Sequence, residues 1–430
     1  MVGRPHYKPM HSSIASSILT RDSRSAPPSY AGFQNLAMIA LAVSNIRLMV
    51  EDYQKYGFIT TFYRFGIPKH DMEMALLLTA SVPVHFFIAL AIEKLASVTA
   101  TRGKKAPPRK HLWRFFALLH SLNALLVISI TSYTVYFEHI WHPFIGTLCE
   151  CHAIIVCLKV ASYALTNRDL RDSYVDSTPI PEIYVKAAYP TNLTLSNLVY
   201  FWWAPTLIYQ PVYPRSPAFR PGFAIKRVLE MVGSIVLIWF FSSQYAIPTL
   251  QDSLHYFANY DWLHVGERLM KLSSVSMGVW LLGFFCLFQS YLNLLAELTR
   301  FGDRDFYRDW WNSGSVGTYW KLWNKPVYNY FQRHIYIPLL KRGYSNKTAS
   351  AGVFLFSAIL HEVAVGVPTR MVIGVAFMAM LLQVPLVLVT APLEKMRGPA
   401  TAIGNCIFWL SFFLGQPTAV LIYYFAWNLK

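Results

Sequence analysis

The sequence predicts an all-α, polytopic membrane protein with about nine transmembrane helices and additional interfacial helices. Of its 430 residues, 54% are apolar and 14% are charged, whereas about 25% are charged in a typical soluble domain. A transmembrane helix needs about 20 mostly apolar residues, and nine stretches come close to that length or exceed it. The predicted spans are 33–50, 74–96, 115–137, 142–166, 228–250, 272–298, 351–368, 371–392 and 402–427.

The predicted elements differ in the strength of their signal. Residues 1–31 are rich in serine, proline and basic residues, which predicts a disordered cytosolic arm; residues 32–430 form one membrane-embedded domain. No cleavable signal peptide is predicted, because the first apolar stretch begins after residue 30 and no small-residue cleavage site follows it closely. The first span is the shortest and carries Arg47 near its end. The fifth begins among charged residues, and the spans that start at 74, 272, 371 and 402 are the clearest.

Membrane topology is the main explanation for the basic character of the chain. The net charge is 38 − 22 = +16, and Lys and Arg concentrate in loops that stay in the cytosol. If the amino terminus is cytosolic and the chain alternates through nine spans, the loops 97–114, 167–227, 299–350 and 393–401 all fall on the cytosolic side. Attraction of an anionic substrate is a second explanation that stays open. Nucleic-acid binding is not indicated.

Two of these segments are too long to be simple connections. Segment 167–227 combines clustered aromatic residues with prolines, which favours short pieces at the headgroup level of the membrane. In segment 299–350, apolar residues recur at helical spacing from Trp320 onward, which predicts an amphipathic interfacial helix. Pro326 and Pro338 are expected to break or kink that helix.

His361 is the residue that most strongly indicates chemistry. It lies near the middle of a predicted span, and ionisable residues at this depth are costly and usually functional. A histidine that only bonds to a neighbouring helix is the alternative. An HExxH zinc motif is excluded because residue 365 is valine. Polar residues on other spans favour a polar cavity: Gln289, Asn293 and Glu297 form a stripe on the sixth span, Gln383 lies on the eighth and Gln416 on the ninth.

A buried neutral histidine is a suitable general base for a hydroxyl group, since one ring nitrogen is free to take a proton. The chain has no GxSxG elbow, no paired-carboxylate signature and no GxxxxGK[ST] motif. Its five cysteines lack the spacing of a disulfide framework or a zinc site. The simplest prediction is direct transfer between two bound substrates, without a covalent intermediate, a metal or a cofactor.

Three motifs follow one another in the second half of the chain. They are ELTRFGDRDFYRDWWNSGSV at 297–316, the pair WN at 323–324, and the pair His361–Glu362. In this combination they resemble the membrane-bound O-acyltransferase superfamily, and more narrowly its acyl-CoA:diacylglycerol O-acyltransferase type 1 family. The resemblance extends from SNIRLMVEDYQKYG near the amino terminus to LGQP in the last span, and so covers most of the chain. FYxDWWN with a downstream HE is a highly specific combination.

The resemblance implies an endoplasmic-reticulum enzyme, usually a homo-oligomer (dimer or tetramer), that transfers a fatty acyl group from acyl-CoA to the free hydroxyl of 1,2-diacylglycerol. Its product would be triacylglycerol, formed in a chamber enclosed by the helices. His361 would be the base for that hydroxyl, Glu362 its neighbour in the catalytic region, and Asn324 would lie beside the thioester. The other substrate-binding residues that the resemblance implies are Gln383, Gln416, Trp323, Trp310, Trp311, Asn312 and Tyr336.

Several points stay open at this level. Interfacial anchoring is an alternative role for Trp310 and Trp311, and Asp309 is expected to be a structural partner of a nearby base. The family usually has a second histidine in WNxPVH, where this chain has Tyr328. The motif also occurs in sterol O-acyltransferases, which are the first alternative. A lipid or proton-coupled transporter is a remote one, since no inverted repeat is found.

Overall fold

The computed structural model describes residues 31–57, 67–102, 109–138, 140–396 and 399–429. The predicted arm lies outside these residues except for Ala31. The chain divides into one unit that ends at Ile59 and a second that begins at Thr60. In the first unit, α1 (Ala31–Tyr56) is a helix of 26 residues with exposed apolar side chains. At 1.5 Å per residue it is about 39 Å long, enough to cross a membrane.

The second unit is helical wherever it has regular structure. Apart from an isolated antiparallel bridge between Arg215 and Phe301, the described part of the chain forms no β-structure, which confirms the all-α prediction. Short 3-10 helices occur at Glu182–Ala187 and Trp310–Asn312, and π-helices at Ser242–Ala246, Phe285–Tyr291 and Gln332–Tyr336. The α-helices are α2 (Lys69–Arg102), α3 (Arg109–Phe137), α4 (Pro143–Asp176), α5 (Leu195–Trp203), α6 (Pro221–Phe241), α7 (Ile247–Ala258), α8 (Trp262–Phe284), α9 (Leu292–Leu298), α10 (Val316–Leu322), α11 (Lys325–Phe331), α12 (Ile337–Lys341), α13 (Asn346–Gly366), α14 (Val375–Leu381), α15 (Gln383–Lys395) and α16 (Pro399–Asn428).

Seven helical segments of the described residues are long and apolar enough to cross a membrane, which confirms a polytopic membrane protein. They correspond to the predicted spans other than 33–50 and 228–250. Those two stretches are also helical: the first lies in α1, and the second runs from α6 through a π-helix into α7. The structure therefore supports seven of the nine predicted spans by length and composition. The seven segments are Lys69–Ala100, Leu112–Phe137, Pro143–Asp176, Trp262–Leu298, Asn346–Gly366, Val375–Glu394 and Thr401–Asn428.

A buried carboxylate joins α2, α3 and α4. Glu93 is 0% exposed and accepts hydrogen bonds from Arg171 Nη1 at 2.6 Å and from the Tyr189 hydroxyl at 2.9 Å. His120 Nε2 lies 3.4 Å from its second oxygen. An unpaired buried charge would cost several kcal/mol, so these partners are needed to keep Glu93 in place. Tyr189 also ties the segment after α4 to the three helices.

That segment folds back against α4 instead of lying free. Lys159 of α4 is buried, and its Nζ donates to the carbonyl oxygens of Phe201, Trp202 and Ala204 at 2.8–3.0 Å. These carbonyls lie at the carboxy-terminal end of α5, where backbone acceptors lack partners within the helix. The predicted short pieces are confirmed as the 3-10 helix Glu182–Ala187 and α5. The side chain of Lys159 joins α5 to α4.

The predicted interfacial helix after Trp320 is two helices. α10 ends at Leu322 and α11 begins at Lys325, with Pro326 in the first turn of α11. Proline is tolerated there because the first N–H groups of a helix have no partner within it. Asn324 caps α11, since its Oδ1 accepts from Val327 N at 3.2 Å. Pro326 thus opens a new helix, which confirms the predicted break.

Candidate active site

The histidine at 361 is held in one orientation by its own helix. Nδ1 of His361 lies 2.7 Å from the carbonyl oxygen of Ser357. A carbonyl oxygen can only accept, so Nδ1 carries a hydrogen. In the neutral imidazole, Nε2 is then the free acceptor. The ring is fixed in the tautomer that a general base acting through Nε2 requires.

His361 is exposed on one face of α13. One and two turns earlier, the same face is covered by other residues. Phe354, seven residues before it and on the same face, packs against Trp320 with the ring centroids 6.0 Å apart. Ser357 and Ala358 on this face are buried. The imidazole itself is exposed. It lies in the last third of a segment that is apolar enough to span a membrane, Asn346–Gly366.

The carboxylate of Glu362 is fully engaged by the start of α14. Oε1 accepts from Gly374 N at 2.9 Å, and Oε2 accepts from Phe377 N at 3.1 Å and from the Tyr423 hydroxyl at 2.9 Å. The Glu362 side chain is 9% exposed. A carboxylate at a helix amino terminus satisfies free N–H groups and complements the helix dipole. This geometry describes an anchor for α14, which differs from a group that exchanges protons with substrate.

Gly366 leaves the room that this anchor needs. A Cβ added at Gly366 would lie 2.8 Å from Glu362 Oε1 and 3.3 Å from the Met371 carbonyl oxygen. Contacts below 3.0 Å require a neighbour to move, and the Glu362 oxygen is held by Gly374. The short residue at 366 is therefore part of the same arrangement.

The corner at Trp323–Asn324 is joined to the FYRDWWN stretch by backbone hydrogen bonds. Arg308 N donates to Leu322 O at 2.8 Å, and Lys325 N donates to Phe306 O at 3.0 Å. The side chain of Asn324 caps α11 as described above, and it is partly exposed. The two motifs that sequence analysis singled out, FYRDWWN and WN, thus form one local structure.

Asp305, not Asp309, is the acid that pairs with bases at this corner. Asp305 Oδ2 lies 2.6 Å from Lys325 Nζ and 3.1 Å from Arg308 Nη2. Burial raises the pKa of Asp305, but the hydrogen bonds from Lys325 and Arg308 outweigh this, so the pKa lies below its usual value. No ion pair of Asp309 occurs in the described ranges, and its role as a structural partner of a base stays a prediction. Asp309 lies before the 3-10 turn that holds the two tryptophans.

The two tryptophans of FYRDWWN differ in environment. Trp310 is 2% exposed and lies among rings of α8 and α16, with centroid distances of 5.3 Å to Trp280 and 5.7 Å to Trp409. Trp311 is 44% exposed. Trp323 joins the same aromatic group through Trp280, with the centroids 6.1 Å apart. The buried ring of Trp310 therefore anchors the motif to α8 and α16, whereas Trp311 and the exposed Asn312 face outward.

The loop after FYRDWWN is fixed between α15 and α16. Asn405 Nδ2 donates to the carbonyl oxygens of Trp311 and Ser313 at 3.1 and 2.8 Å. A Cβ added at Gly404 would overlap the Gly314 carbonyl oxygen. From α15, the Thr390 hydroxyl accepts from the backbone N–H of residue 316 at 3.0 Å. The motif loop thus has a single position relative to the last two helices.

The remaining predicted residues lie on separate elements. Gln383 begins α15, and its amide is 3.4 Å from the Ala379 carbonyl. Gln416 lies on α16, is partly exposed and makes no side-chain hydrogen bond within the described residues. Tyr336 ends the π-helix Gln332–Tyr336. Burial raises the pKa of Tyr328, and Tyr336 adds to this, so the Tyr328 phenol stays protonated near neutral pH.

The polar stripe on the sixth span bonds to protein groups, whereas the expectation was that it lines a polar cavity. Gln289 Oε1 accepts from the Tyr307 hydroxyl at 2.7 Å, and Asn293 Nδ2 donates to the Gln289 carbonyl at 3.0 Å. Glu297 is 0% exposed and accepts from Arg220 and Arg304 at 2.8 Å each. These side chains hold α6, α9 and FYRDWWN together, because each is satisfied by protein groups.

One cavity of about 150 Å³ opens beside the corner but does not contain His361. It is formed by the segment after α5, the start of FYRDWWN and α11, with the polar side chains of Thr206, Gln210, Asp303 and Asn329 among its lining residues. Among the residues the structure describes, no group of three or more His, Cys, Asp or Glu is placed to hold a metal ion. The cavity is therefore separate from the proposed reaction centre.

Comparisons with known proteins agree with this arrangement. The family model for MBOAT, the membrane-bound O-acyltransferase family, matches residues 172–425, more than half of the chain. The chain belongs to this family. The family match includes FYRDWWN, Asn324, His361 and Gln416, so the four lie in one conserved type of domain, and the chain is an O-acyltransferase.

Curated relatives show which members of the family the chain resembles. Diacylglycerol O-acyltransferase 1C of Glycine max is 36% identical over 422 residues, which are 97% of this chain and 78% of that protein. Diacylglycerol O-acyltransferase 1 of Arabidopsis thaliana is 36% identical over 404 residues, 92% of this chain and 73% of that protein. The protein of that name in Dictyostelium discoideum is 34% identical over 409 residues, 95% and 64% of the two chains. The predicted resemblance to the type 1 family is confirmed.

Sequence reasoning missed the residues that hold the site together. Tyr423, Asp305 and Gly404 act through hydrogen bonds or close contacts with residues 20 or more positions away. Tyr423 is one aromatic residue among many in an apolar span, which gives no local signal. Asp305 could have been found as the acid two residues before Tyr307, between basic neighbours.

Proposed function

We propose that this O-acyltransferase transfers a fatty acyl group from acyl-CoA to the free hydroxyl of 1,2-diacylglycerol, giving triacylglycerol and free CoA. The support is that relatives named for this reaction match 92–97% of the chain. The observation that carries the mechanism is the hydrogen bond of His361 Nδ1 to the Ser357 carbonyl, which leaves Nε2 as the acceptor on an accessible ring.

In the proposed reaction the diacylglycerol hydroxyl gives its proton to His361 Nε2 while its oxygen attacks the thioester carbonyl carbon. The new C–O bond forms, and the C–S bond to CoA breaks. The proton then passes from Nε2 to the departing thiolate, so the enzyme ends in its starting state and no acyl-enzyme forms. Asn324 is proposed to lie beside the thioester, and Gln383 and Gln416 to line the space where the acceptor binds.

The decisive experiment compares His361→Ala with the parent enzyme. Purified protein in nanodiscs receives labelled acyl-CoA with either diacylglycerol or cholesterol, and triacylglycerol, cholesteryl ester and free CoA thiol are measured. Loss of a general base typically costs 10²–10⁴-fold, so we expect His361→Ala to be at least about 100-fold slower at unchanged expression and folding. His255→Ala, an exposed histidine on α7, is the control.

Each outcome has a definite meaning. Turnover of His361→Ala within about tenfold of the parent would remove His361 as the base. Cholesteryl ester as the main product would replace the acceptor with a sterol. Movement of substrate across vesicles without thiol release would replace catalysis by transport.

The charges of segment 299–350 indicate where the phosphates of acyl-CoA would bind. Four of its nine basic residues already have partners. Arg304 pairs with Glu297, Arg308 and Lys325 pair with Asp305, and Arg300 donates hydrogen bonds to backbone carbonyl oxygens. The other five have no ion pair within the described ranges. Phosphate recognition needs cations that are not already neutralised. We assign the phosphates to this second group: Lys321, Arg333, Lys341, Arg342 and Lys347.

We further propose an endoplasmic-reticulum location, a cytosolic amino terminus and a homo-oligomer in contact with membrane lipids. The basic loops support this orientation if α1 and the α6–α7 region cross the membrane in addition to the seven apolar segments. A tag at the amino terminus should then be digested by protease in intact microsomes. Protection of the tag would reverse the orientation.

A further inference from the structure

We infer that Tyr423 is a positioning residue for acyl transfer, acting with Glu362 to fix the first turn of α14 and, through α14, the start of α15 at Gln383. The inference rests on the proposed function, because it names what keeps that site in order. It assigns a role to a residue on the last helix that carries no motif. It also assigns Glu362 to positioning rather than to proton transfer.

Tyr423 joins α16 to α13 and α14 through two hydrogen bonds. Its side chain is 5% exposed. The hydroxyl donates to Glu362 Oε2 at 2.9 Å and accepts from Ala376 N at 3.1 Å. A buried hydroxyl that both donates and accepts is fully used, and removing it leaves one acceptor and one donor without this partner.

Most of the free backbone N–H groups at the start of α14 donate to Glu362 or Tyr423. Free N–H groups at a helix start need partners from outside the helix. Gly374 N and Phe377 N donate to Glu362, and Ala376 N donates to Tyr423. Three backbone donors at residues 374–377 are thus held by two side chains from two other helices, α13 and α16.

The pair can transmit position because α14 is short and only Leu382 separates it from α15. α14 ends at Leu381 and Gln383 is the first residue of α15. At 1.5 Å per residue, Gln383 lies only about 14 Å along the chain from Gly374, so we expect a shift at Gly374 to be passed to Gln383. Glu362 directly follows His361 in α13. The pair therefore sets the base on α13 and the amide on α15 relative to each other.

The test is Tyr423→Phe, which keeps the ring and removes only the hydroxyl. The matched control is Tyr424→Phe on the same helix, a tyrosine that makes no hydrogen bond to Glu362 in the described part of the chain. A misplacement of about 1 Å can cost about 100-fold in rate. We expect Tyr423→Phe to lower kcat by about 10- to 100-fold, with KM for acyl-CoA unchanged within about twofold and with Tm close to that of Tyr424→Phe.

Coupling separates positioning from general support. Glu362→Gln replaces one acceptor oxygen by an NH2 donor, so the three hydrogen bonds to this side chain cannot all be kept. If Glu362 and Tyr423 act as one unit, the double variant should be no more than about twofold slower than the slower single variant. A purely structural role would lower kcat only in proportion to the folded fraction, and the two losses would multiply. Either of these results, or a kcat for Tyr423→Phe equal to that of Tyr424→Phe, overturns the inference.

If Tyr423→Phe does not fold, Glu362→Gln is tested instead, by the same changes in kcat and KM. The parent enzyme serves as the test of the underlying function. If the parent makes no triacylglycerol, the proposed function has failed. If the parent is active and the variants are not coupled, only the positioning inference has failed.

Discussion

The close contact of Gly404 with the motif loop predicts a large effect from one methyl group. A Cβ at Gly404 would overlap the Gly314 carbonyl oxygen and lie 3.0 Å from the Gly314 carbonyl carbon, whereas carbon atoms in contact are normally about 3.5–4.0 Å apart. The loop cannot retreat freely, since Asn405 holds Ser313 and Thr390 holds the backbone N–H of residue 316. Overpacking of this kind costs about 1–3 kcal/mol, and the rigid backbone partner places Gly404→Ala at the upper end.

The matched control is Gly278→Ala on α8, where an added Cβ meets nothing within 4 Å. Alanine is favoured over glycine in a helix by up to about 1 kcal/mol, so this variant should be neutral or slightly more stable. The two variants should differ by about 3 kcal/mol. Thermal unfolding in detergent and the rate of acyl transfer are measured for both. Equal Tm values, or full activity of Gly404→Ala, would refute the view that the Gly404–Gly314 contact fixes the motif.

Two further predictions concern pH and charge. Burial lowers the pKa of His334 to about 4, and a nearby arginine adds to this. Between pH 4 and the unfolded value near 6.5 the unfolded chain therefore binds more protons, and the free energy of unfolding falls as pH is lowered. Between pH 8 and 5 the parent should lose about 2 kcal/mol more stability than His334→Asn in thermal unfolding, and parallel losses would contradict this. Replacing Lys341 and Arg342 by Gln should raise KM for acyl-CoA about 3- to 10-fold with kcat unchanged and with a weaker salt dependence. Arg308→Gln is the control because Asp305 already pairs with Arg308, and an equal rise in KM there would place the phosphates elsewhere.

The helical membrane architecture could be predicted from sequence because it depends on local composition. A stretch of about 20 apolar residues has few alternatives to a spanning helix, since backbone groups in lipid must bond within the segment. Seven predicted spans correspond to such helices, and Pro326 marks a helix start as its missing N–H requires. The family motifs were equally local, because FYRDWWN and His361–Glu362 are short stretches that can be recognised without a structure.

The roles of single polar residues were not predictable, because residues distant in sequence decide them. Gln289 and Glu297 fit a cavity-lining stripe by spacing, yet Tyr307 and Arg304 satisfy them. Asp305 and Asp309 each follow an arginine in sequence, and the fold brings Lys325 and Arg308 to Asp305.

The sequence alone therefore determined the fold class, the family and the identity of His361 as the residue to test. The tertiary structure decided the tautomer of His361, the engagement of Glu362 by α14, and the connection of both to Tyr423. The physical reason is the range of the interactions. Apolar length and helix-breaking residues act within about 20 neighbouring residues, whereas a hydrogen bond forms between whichever donor and acceptor packing brings within about 3 Å.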